Sequence, residues 1–118
     1  DAEARRTTAI YRKIRPYLTG DFYRIFPHDA SEAVWFGYQF HQPDRDAGMA
    51  LVFRREQCAE GRQVVPLREI KPRAMYTVRF EDAPETRKIR GKELARLQVH
   101  IPSAPGSAIV YYRRLGKP

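Results

Sequence analysis

The sequence predicts an all-β protein, an antiparallel β-sandwich of about eight strands preceded by one N-terminal helix. Three observations lead there. From residue 20 onward, short runs of aromatic and β-branched residues recur at regular spacing. Gly, Pro and Asp clusters separate those runs at 43–44, 58–61, 71–72, 82–84 and 102–106. Helical spacing is confined to the first residues, so the long helical crossovers of a parallel sheet are missing.

Residues 2–18 read as a helix, because Ile10, Ile14, Tyr17 and Leu18 fall on one stripe, with Arg12, Lys13 and Arg15 on other faces. Pro16 should kink the last turn or end the helix near Arg15, and Gly20 breaks the chain. Residues 1–19 are therefore expected to be a linking or terminal helix, and 20–118 the β-domain. Residues 21–26 form a short aromatic strand closed by Pro27, followed by a loop through Asp29, Ser31 and Glu32. In residues 34–41, alternation sets Val34, Phe36, Tyr38 and Phe40 on one face and Trp35, Gly37, Gln39 and His41 on the other. Phe36 and Phe40 are expected to face the core, with Trp35, Gln39 and His41 outward. Residues 49–54 are apolar on both faces, as in a strand covered on both sides. Residues 63–67 contain Pro66 and suit an edge. Residues 75–80 place Tyr76, Val78 and Phe80 opposite Thr77 and Arg79. Residues 86–90 form a charged edge strand. Residues 92–96 make one helical turn, 97–101 alternate again, and 108–112 close the chain.

With 118 residues the chain fits one domain able to bury roughly two-thirds of its unfolded surface. A hydrophobic fraction of 42%, with seven Tyr, six Phe and one Trp, excludes a disordered segment. The single cysteine, Cys58, excludes an internal disulfide but not export from a bacterium. No run reaches the roughly 18 apolar residues of a membrane span, so no membrane partner is expected. No signal peptide is visible, and Asp1 in first place points to a processed chain or a piece of a longer one. The net charge of +8 raises nucleic acid as a partner. The basic residues are scattered, however, and no nucleic-acid-binding motif accompanies them, so they read as a solvated surface.

Catalytic patterns are missing. Asp44 and Asp46 share one turn, whereas a glycosidase needs carboxylates facing each other across a cleft. They read as a solvated hairpin turn, and so do Glu81 and Asp82. His28, His41 and His100 lack metal-ligand spacing. Cys58 has neither a helix start nor a histidine to activate it. Neither a phosphate loop nor a Gly-x-Ser-x-Gly elbow occurs, and no cofactor or metal is expected. Trp35, Tyr38 and Tyr23 are candidates for a sugar-stacking platform, with core or interdomain packing as the alternative.

Several runs, taken in order, resemble one family. They are Tyr17-Leu18-Thr19-Gly20-Asp21-Phe22-Tyr23, then Trp35-Phe36-Gly37-Tyr38-Gln39-Phe40-His41-Gln42-Pro43-Asp44, then Gly48-Met49 and Phe53-Arg54-Arg55. Tyr76-Thr77-Val78, Gly91-Lys92-Glu93-Leu94 and Ser107-Ala108-Ile109-Val110-Tyr111-Tyr112 continue the likeness. Together they resemble the C-terminal part of family 36 glycoside hydrolases, the bacterial α-galactosidases. The resemblance implies a β-sandwich packed beside a catalytic (β/α)8 barrel of the same parent chain, with the N-terminal helix ending the barrel or linking to it. The family's catalytic aspartates lie in barrel motifs that this chain lacks, so the resemblance implies no catalytic residue here. The chain departs from the family pattern in its basicity and in Arg24, where the family tends to carry Pro. The expected role is a non-catalytic accessory domain that stabilises the barrel. Ile10, Ile14 and Tyr17 are its interface stripe and Trp35 its aromatic anchor. The alternative is a carbohydrate-binding module. A compartment does not follow from the sequence, which is compatible with bacterial cytoplasm or export.

Overall fold

A computed structural model describes residues 1–26 and 33–116. Pro27, His28 and the loop positions Asp29, Ser31 and Glu32 lie outside the described residues. Helix α1 (Ala2–Ile14) opens the chain, capped by Asp1, whose carboxylate accepts from the Ala4 amide at 2.8 Å. Glu3 in the first turn and Arg12 and Lys13 in the last suit the helix dipole. Pro16 has no backbone N–H to continue the α-helical ladder. The chain tightens into a 3-10 helix over Arg15–Thr19 with the proline in its first turn, as expected for a proline at that place.

Among the described residues eight strands follow: β1 (Asp21–Arg24), β2 (Trp35–Gln42), β3 (Ala47–Arg54), β4 (Arg62–Pro66), β5 (Met75–Phe80), β6 (Arg87–Arg90), β7 (Arg96–His100) and β8 (Gly106–Arg114). A single turn of helix, α2 (Gly91–Leu94), joins β6 to β7. Six strands form one antiparallel sheet in the order β1-β2-β3-β8-β5-β6, and β4 pairs with β7 in a second layer. The predicted fold class is the observed one.

The core lies between the two layers. Val65, Leu97 and Val99 of the small sheet and Leu94 of α2 meet Trp35, Ala50, Val52, Tyr76, Val78, Ile89, Val110 and Tyr112 of the large one. Register fixes the inner set. Gly37 pairs with Val52, Ala50 with Val110, and Val78 with Tyr112, so these positions share one face. Gly48 sits opposite both His41 and Tyr112, and a Cβ there would overlap the Tyr112 hydroxyl and the Phe40 carbonyl. Only glycine allows that approach.

The two faces of β2 are reversed from the sequence expectation. Trp35, Gly37, Gln39 and His41 are buried, while Phe36, Tyr38, Phe40 and Gln42 are only half-buried. Trp35 is 3% exposed and sits in the core cluster, its indole N–H donating to the Glu60 carbonyl at 2.7 Å. It is therefore not an outward anchor. The reason is hydrogen-bond capacity. The inner space supplies partners for an indole, an amide and an imidazole, and buried polar groups are tolerated once they are paired.

Candidate functional site

The outward face of the large sheet is built by strand pairing. Phe22 pairs with Phe40, Phe40 with Met49, Tyr38 with Leu51, Phe36 with Phe53, and Leu51 with Ile109. Alternation then sends Phe22, Phe36, Tyr38, Phe40, Leu51, Phe53 and Ile109 to the same side of four neighbouring strands. The rings touch. Phe22 stacks on Tyr38 at 5.4 Å between centroids and lies 5.3 Å from Phe40, and Phe36 stacks on Phe53 at 4.7 Å. The Arg55 guanidinium lies over Phe36 at 4.6 Å. Phe22 is 55% exposed, and its neighbours in the strip are half-buried.

At the other end of this face lies the N-terminal segment. Tyr17 meets Tyr111 at 6.0 Å, Lys13 pairs with Glu81 at 2.9 Å, and Arg6 pairs with Asp82 at 3.0 Å. The Gln42 side-chain amide donates to the Pro16 carbonyl at 2.6 Å. Ile10, Ile14 and Tyr17 are half-buried, and no residue of α1 is fully buried. The predicted stripe and Trp35 are therefore not brought together. Glu81 is not a solvated turn residue either, since its side chain is 8% exposed. Its burial pushes the carboxyl up, but hydrogen bonds from Lys13 and Tyr111 and the charges of Lys13 and Arg79 outweigh this and hold it below the usual value.

The inner face carries a buried polar network that the sequence did not announce. The Gln39 Oε1 accepts from the Arg68 amide at 2.8 Å, which fixes the orientation of the side-chain amide. Its Nε2 donates to the Arg68 carbonyl at 2.9 Å and to the Tyr112 hydroxyl at 2.8 Å. Tyr112 then has its own proton free to donate to His41 Nδ1 at 2.7 Å. That assigns the imidazole proton to Nε2, which faces Asp46 Oδ1 at 3.6 Å. Lys71 Nζ and Arg114 Nη1 approach the other carboxylate oxygen at 3.6 and 3.4 Å. Burial lowers the His41 pKa, against the opposing pull of Asp46. Burial likewise pushes the Tyr76 and Tyr112 hydroxyls up.

Two expectations are corrected here. His41 points inward at 2% exposure, and Asp46 is 1% exposed, in left-handed backbone with φ of 51°, where the turn was read as solvated. Asp44 is exposed as expected. The distance in sequence explains the miss: Tyr112 lies 71 residues beyond His41. Gly48 was the available signal, since a glycine inside a strand marks a close approach. Gln39, His41, Asp46 and Tyr112 are buried, while Lys71 and Arg114 reach the Asp46 carboxylate from the surface.

The sugar platform as drawn from sequence does not assemble, because Trp35 is in the core and Tyr23 lies under the Arg68 guanidinium at 5.4 Å. Tyr38 alone of the three joins the outer strip. Cys58 is buried, with Sγ 3.8 Å from the Glu60 carbonyl. Among the described residues no group of His, Cys, Asp and Glu is placed to hold a metal ion, and no helix is long and apolar enough to cross a membrane. No protein-family model matches this chain, and no curated protein matches it.

Proposed function

We propose that this chain is a non-catalytic accessory β-sandwich of a larger α-galactosidase-like glycoside hydrolase, and that it lays its aromatic outer face against the catalytic barrel of the same parent. The observation that carries the reading is the apolar strip from Phe22 to Ile109, which crosses four strands and includes a phenylalanine 55% exposed. A contiguous aromatic surface of this kind is what an interface needs, at about 25 cal/mol per Å² of apolar area withdrawn from water. The resemblance of the sequence runs to family 36 glycoside hydrolases supports a catalytic barrel as the occupant. The interface moves from Trp35 and the helix stripe to Phe22, Phe36, Tyr38, Phe40 and Phe53, with Tyr17 at its margin.

The test compares one change in two settings. Phe22→Asp, at the exposed ring of the strip, should leave the stability of the isolated chain within about 1 kcal/mol. In the parent it should lower the melting temperature and shorten the half-life of galactosidase activity. An unaffected parent sinks the reading.

A second reading is supported by the near-parallel stacking of Phe22 on Tyr38, at 27° between planes. Such a pair suits the face of a pyranose, as in a carbohydrate-binding module. Calorimetric titration of the isolated chain with galactosides separates the two: saturable heat that vanishes in Phe22→Ala favours sugar binding over packing.

A further inference from the structure

At the basic end of the outer face, next to the aromatic strip and sharing Tyr17 with its margin, a groove of about 420 Å³ runs between the N-terminal segment and the sheet. Its cationic lining comes from three elements: Lys13 of α1, Arg79 of β5 and Arg113 of β8. Thr86 adds a hydroxyl, the Thr77 hydroxyl donates to the Arg113 carbonyl at 3.4 Å, and Tyr111 also lines the groove. Strand register places Lys88 opposite Thr77, and Thr77 opposite Arg113, so Lys88 is a fourth cation on this side. Glu81 is the acid that touches this cluster, and its carboxylate is already shared by Lys13 and Arg79. The Arg79 guanidinium is held over the Tyr111 ring at 5.1 Å, so its direction is set before any ligand arrives. Arg113 is exposed and, among the described residues, makes no ion pair.

We propose that this groove is a binding site for a small dianion of the phosphate-monoester class, gripped by Arg79, Arg113 and Lys13 with the Thr86 hydroxyl as a further donor. The chemistry is that of phosphate recognition: planar guanidinium donors, an ammonium and a hydroxyl around one oxygen-rich group. Three cations line the groove and Lys88 lies on the same side of the sheet, so beyond the Glu81 carboxylate a positive charge is left unbalanced, which favours a doubly charged ligand over a singly charged one. The volume excludes a folded partner and admits a compact ester.

Titration of the isotope-labelled chain with inorganic phosphate, followed by amide chemical shifts in about 0.15 M salt, tests the site. Saturable shifts should cluster at Thr77, Thr86 and Arg113, with acetate giving none. Arg113→Glu should weaken binding by about tenfold or more. Arg96→Glu makes the same change in net charge at an exposed position of β7, in the other layer, and should weaken binding less than twofold. Equal losses in the two variants, shifts spread over the basic surface, or tighter binding of a single-stranded oligonucleotide than of phosphate would overturn the proposal.

Discussion

Strand β2 sends Trp35, Gly37, Gln39 and His41 inward and Phe36, Tyr38, Phe40 and Gln42 outward, and the two sets differ in kind. The inner set includes an indole, an amide and an imidazole, each with a named partner: the Glu60 carbonyl, the Arg68 backbone and the Tyr112 hydroxyl. The outer set is mostly rings in contact with one another and half open to solvent. Apolar character alone would put the rings inside. Burial instead follows the supply of matched partners and the volume to be filled, and the surplus of aromatic surface is left on the side where a second body can take it up.

The widest separation between the two faces should appear on truncation. Trp35→Ala removes the largest ring of the core and should cost about 3–5 kcal/mol in urea unfolding. Phe22→Ala on the outer face should stay within about 0.5 kcal/mol in the isolated chain. Equal losses would mean that the outer strip is part of the core. The next effect probes the inner network alone. Tyr112→Phe keeps the ring but leaves Gln39 and His41 without their shared hydroxyl, and should cost about 1–3 kcal/mol.

Acid should then distinguish the faces by window. The folded pKa of His41 is depressed below 6.5, so the unfolded chain takes up the proton first. Stability is complete above that value and falls as pH drops below 6.5 toward the folded pKa, by at most about 1.4 kcal/mol per pH unit. His41→Gln should flatten that limb. On the outer face Glu81 is depressed from 4.5, so its contribution is present above that value and is lost at lower pH, as the carboxyl protonates through its folded pKa. Glu81→Gln should flatten only this second limb. A modest change is expected at the helix. Lys13→Ala breaks the 2.9 Å pair with Glu81 and should cost at most about 1 kcal/mol, shrinking further in high salt. Loss of helical circular dichroism without loss of near-ultraviolet signal would confine the effect to α1.

Local features of the chain were legible in its sequence because their causes are local. Pro16 stopped the α-helix, alternation marked β5 and β7 to within a residue or so, and the charged run at β6 is an edge strand. The side on which each face of β2 would lie was not legible. Alternation sorts residues into two sets, but it does not say which set meets the second layer. That depended on β8, whose Tyr112 supplies the partner for both Gln39 and His41. The outer strip was equally hidden, since Phe22 reaches Phe40 only through the β1–β2 register.

The strand order carries a temporal consequence. β8 follows the other seven strands in the chain, yet it lies third from one end of the large sheet, wedged between β3 and β5. Until it emerges from the ribosome, the nascent protein holds two half-sheets, β1-β2-β3 and β5-β6, that cannot join. Each presents a raw hydrogen-bonding edge, and β3 is apolar on both faces. Completion of the sheet is thus deferred to β8, and a chain cut before Gly106 would display a sticky, unfinished half-product rather than a smaller stable domain.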